Sequence, residues 1–331
     1  MTPFRIAGWG AYRPRDNRAS SELDAVFGRE AGWTEREFGI RTRGVAASDE
    51  TSSMMGAAAA QAALDRAGWG RGEFDVLIGA CGVMEQPIPS TSALIQRRLG
   101  LGASGIPAFD VNQTCLSFVT ALDLAAMGFR AGRWRRALLV SSDIASAGLD
   151  TSVPKTASIF GDGAAAVAVE ATDTPDGPGL LSSRFETYGD GSDLATLRSG
   201  GTRVRVEEGY EAIIEGARFR MDPFGIFKAA ARHLPRLIEH VLGEAGLDHD
   251  AVDHVVCHQA SAAGVALAKR IFAPASDRVV DIFPYTGNQI AASIPTALVH
   301  VLEGKDRCDG RIALLVGTAA GISAGAMVLR L

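Results

Sequence analysis

Three residues of this chain stand in settings where side chains do chemistry. Cys115 lies in Phe109-Asp110-Val111-Asn112-Gln113-Thr114-Cys115-Leu116-Ser117-Phe118, His258 in Val255-Val256-Cys257-His258-Gln259-Ala260-Ser261, and Asn288 in Tyr285-Thr286-Gly287-Asn288-Gln289-Ile290-Ala291. A cysteine thiolate is a nucleophile, a neutral imidazole a base, and a carboxamide a fixed hydrogen-bond donor. A fourth segment, Gly317-Thr318-Ala319-Ala320-Gly321, is a small-residue turn able to offer backbone N–H groups to an oxyanion. Each residue also has a plain structural reading: Cys115 as a small core residue, His258 as a hydrogen-bonded residue closing a strand, Asn288 as a helix N-cap.

The elements that would position them follow from periodicity. Leu116, Val119, Leu122, Leu124, Ala125 and Phe129 recur at helical spacing, so Cys115 opens an apolar helix. Unpaired N–H groups and the helix dipole there favour an anion, which predicts a lowered thiol pKa and a populated thiolate. His258 ends an apolar strand, and alternation sends Cys257 and His258 to opposite faces. Further strands are expected over 4–9, 74–80, 137–141, 164–169, 252–258, 312–317 and 326–331. Helices are expected from Ser20, over 52–67 with a stop at Gly68, and over 91–99, 119–130, 223–245, 260–271 and 289–303. Residues 39–43 read as a basic turn, 188–208 as an elaborated loop, and 173–178, rich in Pro, Gly and Asp, as a boundary.

Two stretches repeat. Leu64-x-x-Ala67-Gly68 with Asp75 matches Leu242-x-x-Ala245-Gly246 with Asp253 at one offset (242 − 64 = 178; 253 − 75 = 178). Ala137-Leu138-Leu139-Val140 recurs as Ala313-Leu314-Leu315-Val316 (313 − 137 = 176). A helix, a buried strand, a second helix and a second buried strand thus occur twice in one order. The reading is an α/β protein with two duplicated halves, 1–172 carrying the nucleophile and 173–331 the His and Asn. Two parallel-type sheets would have helices between and outside them.

The totals narrow the class. The chain has 331 residues, 47% hydrophobic and 21% charged, as an ordinary globular protein with a large core does. A net charge of −5 gives no footprint for nucleic acid or an anionic membrane. No run nears the ~18 apolar residues that span a bilayer, and no signal peptide is visible. Cys81, Cys115, Cys257 and Cys308 lie far apart, without zinc spacing or a CxxC pair. A cytoplasmic protein with reduced thiols and no metal is expected.

Together these segments resemble the β-ketoacyl-acyl-carrier-protein synthase III family of the thiolase superfamily, over essentially the whole chain. The resemblance rests on Gly39-Ile40-Arg41-x-Arg43, Pro107-Ala108-Phe109-Asp110-Val111-Asn112-x-x-Cys115 and Phe160-Gly161-Asp162-Gly163-Ala164. It continues with His258-Gln259-Ala260 and Gly287-Asn288-x-x-Ala291-Ala292-Ser293-Ile294-Pro295, in family order. It implies a thiolase-like five-layer αβαβα fold, a homodimer, and a catalytic set of Cys115, His258 and Asn288. The backbone N–H groups of Cys115 and Ala320 would form the oxyanion hole. No cofactor is implied beyond acyl-coenzyme A or acyl carrier protein thioesters as substrates, and acyl carrier protein is the implied partner. An acyl group on Cys115 would meet malonyl-acyl carrier protein, and decarboxylation would give an enolate held by His258 and Asn288.

Departures from the pattern fall in substrate recognition. The adenine-stacking Trp is present as Trp33, but Glu37 stands where its partner Arg is expected. Ser261 and Ala263 replace the family's Asn and Arg after the histidine, and Pro154-Lys155 stands where an Arg precedes the FGDG segment. The coenzyme A handle is weakened and a carrier-protein donor is favoured. Thr318 takes the place of a frequent Phe, Ile88 occupies the loop that the family sends into the partner's acyl tunnel, and Phe224 opens a segment expected to line that tunnel. Gly321-Ile322-Ser323-Ala324-Gly325 matches the hydrolase elbow, yet no His follows it and the residues after it read as a strand. Gly161-Asp162-Gly163 reads as a structural turn ordered by Asp162, and Arg133-Trp134-Arg135-Arg136 as a solvated helix end that could dock an acidic carrier. Three classes stay open: a condensing enzyme, an acyltransferase to a hydroxyl, amine or other non-malonyl acceptor, and a non-catalytic partner subunit. Retention of both enolate donors favours the first.

Overall fold

The computed structural model of the protein describes residues 1–150, 152–174, 176–304 and 308–331. Nine strands carry the fold: β1 (Thr2–Tyr12), β2 (Val76–Gly79), β3 (Ala108–Asp110), β4 (Arg136–Asp143), β5 (Gly163–Ala171), β6 (Gly179–Thr187), β7 (His254–Cys257), β8 (Ile312–Ala319) and β9 (Ser323–Arg330). Six helices pack on them: α1 (Ser52–Ala67), α2 (Thr91–Arg98), α3 (Ser117–Arg130), α4 (Pro223–Glu244), α5 (Ala262–Ile271) and α6 (Ser293–Leu302). The strand order is β7-β8-β9-β6-β1-β5-β4-β2-β3.

The repeat read from the sequence is written into this order. In the first half β2 runs parallel to β3 and β4, while β4–β5 and β5–β1 are antiparallel. In the second half β7 is parallel to β8, while β8–β9 and β9–β6 are antiparallel. The counterpart of β3 is reduced to one parallel bridge, Val255 with Val279. The expectation of two parallel-type sheets therefore needs correcting. Each half is mixed, because its last strands return antiparallel; β8 and β9 are joined by a turn too short for a parallel crossover. The halves also join through β1 and β6, at Thr2 opposite Leu180 and Pro3 opposite Gly179.

Layering follows from which face each residue presents. α3 touches β4 and β1 of one half and β9 and β6 of the other, and α6 touches β7 as well as β5 and β1. These two helices are therefore sandwiched between the halves, with α1 outside one and α4 outside the other. Alternation along the strands feeds three cores. Val76 and Ile78 face the central helices while Leu77 faces α1, and Ala313 and Leu315 face inward while Leu314 and Val316 face outward. This is the five-layer αβαβα arrangement. The alanine of α1 has a stated use: a Cβ on Gly8 would sit 2.1 Å from Ala63 O, and one on Gly10 2.4 Å from Ala59 O. Helix and strand backbones meet closely there, which only small residues allow.

Several elements were not legible beforehand. The strand Asp16–Ala19 pairs with Thr42–Val45, so the expected basic turn is half strand, and Arg43 is buried with its guanidinium donating to Ser158 O at 2.9 Å. Short helices Trp33–Phe38, Pro154–Ile159 and Tyr210–Gly216 also form, as does β6. The expected boundary segment 173–178 connects β5 to β6, with Pro175 outside the described residues.

Candidate active site

Cys115 sits in a single 3-10 turn, Thr114–Leu116, between β3 and α3. Side chains shape that turn: Asn112 Oδ1 accepts from Thr114 N–H at 2.8 Å, and Ser117 Oγ accepts from Gln113 N–H at 2.9 Å while donating to Thr114 O at 2.7 Å. The backbone N–H groups of Ala320 and of Cys115 itself and the Thr114 hydroxyl lie around the sulfur. All three contacts favour the thiolate. Burial outweighs them, and with the nearby Asp143 carboxylate pushes the thiol up to about 12. The lowered pKa expected from the helix start is thus overturned: desolvation dominates the donors. Cys115 rests as a thiol and needs a base.

Asp143, at the end of β4, escaped the sequence reading. It is fully buried; Oδ1 accepts from Gly82 N–H at 2.8 Å and Val83 N–H at 2.7 Å, and Oδ2 from Ala292 N–H at 3.1 Å. Burial raises it to about 7 against those donors. The available signal was Ser141-Ser142-Asp143, a polar close to an apolar strand.

His258 lies one residue past β7, its N–H bonded to Val316 O at 2.8 Å. Cys257 points into the outer core, so strand alternation holds. A Cβ on Gly317 would fall 2.8 Å from His258 Cβ and 3.5 Å from Leu116 Cδ2. The glycine lets the histidine backbone lie against the residue next to Cys115. The imidazole is 7% exposed, its Nδ1 has no protein partner, and burial pulls it down to about 4, so it is neutral at pH 7.

Asn288 is fixed by its backbone, which donates to Ile159 O at 2.7 Å and accepts from Gly161 N–H at 3.1 Å. Its Oδ1 accepts from Ile290 N–H at 2.9 Å and its Nδ2 donates to Ala260 O at 3.3 Å, two residues beyond His258. One Nδ2 proton remains. The N-cap reading fails, because Ala292 is the cap residue of α6 and Asn288 Oδ1 instead accepts from Ile290 N–H, where the 3-10 turn Ile290–Ala292 begins. That turn packs against the Cys115 turn.

Backbone strain frames the same place. Among the described residues, the non-glycine residues with positive φ are Thr114 (47°), Ile290 (52°) and Ile322 (46°). All are β-branched, and the left-handed region costs an L-residue roughly 1–2 kcal/mol. One precedes Cys115, one lies two residues past Asn288, and one two past Ala320. Such strain persists where surrounding structure imposes it, and it clusters at functional sites.

The other singled-out residues are more dispersed. Trp33 stands edge-on between Phe27 and Phe38, with the Arg29 guanidinium 5.0 Å over its ring. Ile88 is 85% and Phe224 75% exposed. Ser261 caps α5, accepting from Gly264 N–H at 3.1 Å. Thr318 is half-buried on β8, opposite Ala324. Asp162 orders its turn by accepting from Ala46 and Ser146, and the Gly161–Gly163 segment leads into β5. Ser323 opens β9 and pairs its hydroxyl with Thr187, so no hydrolase elbow forms. Arg136 is held by Glu170 at 2.8 Å over the Trp69 ring. No helix of the described residues is long and apolar enough to cross a membrane, and no metal-holding group of side chains occurs among them.

Known proteins share this arrangement. The family model for 3-oxoacyl-[acyl-carrier-protein] synthase III matches residues 109–189, and that for its C-terminal part residues 242–331. The β-ketoacyl-[acyl-carrier-protein] synthase III of Neisseria meningitidis serogroup B is 32% identical over the full length of both chains. The acetoacetyl CoA synthase of a Streptomyces species is 35% identical over 97% of this chain and 96% of its own. Among solved structures, 3-oxoacyl-(acyl carrier protein) synthase III of Pseudomonas aeruginosa superposes with a TM-score of 0.88 at 30% identity, covering 99% of this chain and 98% of that one. With two family models in chain order and a full-length relative above 30% identity, the chain belongs to the 3-oxoacyl-[acyl-carrier-protein] synthase III family.

Proposed function

We propose that the protein is a decarboxylating condensing enzyme that joins an acyl group held on Cys115 to the two-carbon unit of malonyl-acyl carrier protein, giving a β-ketoacyl thioester. The observation that carries this reading is the placement of the Ala320 N–H beside the Cys115 sulfur, which supports an oxyanion site built around a nucleophile. Cys115, protonated at rest, gives its proton to neutral His258 as the sulfur attacks the acyl thioester carbonyl. The N–H groups of Cys115 and Ala320 take the developing oxyanion, and the departing thiol recovers the proton. In the second half-reaction the bond between the malonyl carboxylate and the α-carbon breaks, CO₂ leaves, and the electron pair moves to the thioester oxygen. His258 and the free Nδ2 proton of Asn288 donate to that enolate oxygen. The α-carbon then attacks the acyl carbon and Cys115 leaves as thiolate.

The reading extends to binding. An open cavity of about 320 Å³, lined by Val153, Thr156, Phe219 and Met221 and by the charged Asp150, Glu215, Arg218 and Arg220, adjoins Phe160, whose ring meets Phe219 and whose backbone bridges Asn288. It suits the arm of a thioester, with Trp33, Phe224, Ser261 and Thr318 as further contacts. The exposed Ile88 supports a homodimer in which this side chain enters the partner's tunnel. Two halves, 1–172 and 173–331, a cytoplasmic location and no cofactor beyond the substrate thioesters complete the proposal.

Intact-mass measurement with acyl thioesters tests it, followed by CO₂ release from malonyl-acyl carrier protein. Wild type gains an acyl group and C115A does not; equal loading of C115A would overturn the nucleophile. Loading without CO₂ release would favour transfer to a hydroxyl or amine instead.

A further inference from the structure

We propose that the Thr114 hydroxyl is a further catalytic group, donating a hydrogen bond to the Cys115 sulfur as its proton departs. The inference deepens the reading of Cys115 as nucleophile and rests on it. Thr114 Oγ1 is buried and forms no hydrogen bond in the resting structure, although a buried hydroxyl normally finds a partner. It belongs to the residue next to Cys115 in the same 3-10 turn, close enough to the sulfur to favour its anion. Its backbone is held at a φ of 47°, where a β-branched residue is unfavourable.

The turn itself does not need the hydroxyl. Ile290 occupies the matching position of the Asn288 turn, 176 residues on (290 − 114), at a φ of 52°. In both turns an Asn side chain two residues earlier accepts from the strained residue's N–H, at 2.8 Å and 2.9 Å. Both lead into a 3-10 turn and then a long helix. An aliphatic β-branched side chain therefore builds the same backbone. What Thr114 adds over Ile290 is an O–H beside the only one of the two turns that carries a thiol. As the S–H bond breaks and its proton passes to the base, that O–H is a third donor beside the N–H groups of Ala320 and Cys115. With burial opposing ionisation of this sulfur, each donor raises the fraction able to attack.

T114V, T114S and T114A distinguish this role from a structural one. Alkylation of Cys115 by iodoacetamide at pH 8 is followed on its own peptide. Losing a hydrogen bond to a charged group costs about one pKa unit or more, a tenfold loss of thiolate. Higher intrinsic nucleophilicity of the more basic sulfur restores about threefold, leaving a net slowing of about threefold. T114V is expected to show that slowing, with acyl loading slowed alongside, and T114S to restore the wild-type rate. T114A should behave as T114V does, and it carries the measurement if T114V does not fold. Wild-type alkylation in the hydroxyl-free variant overturns the proposal while leaving the nucleophile intact. A wild-type protein in which Cys115 never reacts overturns both.

Discussion

The turn that carries Cys115 and the turn that carries Asn288 are copies of one structure put to different uses. Asn112-Gln113-Thr114-Cys115-Leu116-Ser117 and Asn288-Gln289-Ile290-Ala291-Ala292-Ser293 share Asn, Gln and Ser at one offset (288 − 112 = 176). Their hydrogen bonds match as well. Asn112 Nδ2 donates to Gly82 O at 3.5 Å, and Asn288 Nδ2 to Ala260 O at 3.3 Å, the acceptors themselves 178 residues apart (260 − 82). The strand ends behave alike, Ala80 N–H reaching Val140 O at 2.7 Å and His258 N–H reaching Val316 O at 2.8 Å. Yet the mate of Cys115 is Ala291, and the mate of His258 is Ala80. Duplication supplied two equivalent scaffolds, and the reactive side chains are kept once, the thiol on one and the imidazole on the other. Asn is present on both, buried at 288 and exposed at 112.

The hardest test of that division is N288A set beside H258A. Removing one preorganised donor to an enolate oxygen is expected to slow CO₂ release on the order of 10²–10³-fold. Acyl loading of Cys115 should persist in N288A and be slowed, without being abolished, in H258A, where the base is also lost. If N288A releases CO₂ at the wild-type rate, Asn288 does no more than its mate Asn112, and the asymmetry drawn between the turns collapses.

Much of this was legible in the sequence because burial leaves a periodic record. The apolar strands, α1 with its stop at Gly68, and the repeat of Leu64 with Leu242 all follow from period and spacing. The family resemblance named Cys115, His258 and Asn288, and the turn that follows Asn288 packs against the turn that carries Cys115. What escaped was set by contacts distant along the chain. The thiol pKa depends on burial and on Asp143, twenty-eight residues from Cys115 (143 − 115), so a helix-start argument gave the wrong sign. β6 reads poorly because Ser182, Ser183 and Arg184 interrupt it, each bonded sideways: Ser182 to Val241 O, Ser183 to Asp123, Arg184 to Glu244. The Asn-Gln-x-x-x-Ser pair was present in plain letters, but its weight lies in the shared positive φ, which letters do not carry.

A smaller effect is expected at Asp143, which ties the Gly82–Val83 segment to the turn that carries Asn288. Its carboxyl titrates at about 7, so its charge, which opposes ionisation of Cys115, is present above that pH and absent below it. D143N should therefore speed iodoacetamide alkylation of Cys115 by about threefold at pH 8, on the same Brønsted reasoning, and match wild type below pH 6. The folded-state pKa is raised, so the Asp143 contribution to stability is present below the unfolded carboxylate range and is lost as pH rises through 7. D143N should thus flatten the pH dependence of unfolding over that window. It also turns an amide N–H toward one of the backbone donors, Gly82, Val83 or Ala292, at a cost of about 1–3 kcal/mol. Alkylation rates that stay parallel to wild type from pH 6 to pH 8 would show that Asp143 acts through packing alone.

The smallest effect, and the cleanest statement of what the comparison means, belongs to N112A. Asn112 builds its turn with the same two hydrogen bonds as Asn288, but its carboxamide serves a turn whose reactive atom is the neighbouring sulfur. Its loss should leave Thr114 N–H without its acceptor and destabilise the fold by about 1 kcal/mol. For a chain of this size that is a fall in Tm of about 2 °C. CO₂ release and acyl loading should stay within about threefold of wild type, because N112A removes no donor to the enolate and the Cys115 and Ala320 N–H groups remain; a loss approaching that of N288A would mean that the two carboxamides share the chemistry, and that duplication preserved two functional asparagines where the geometry argues for one.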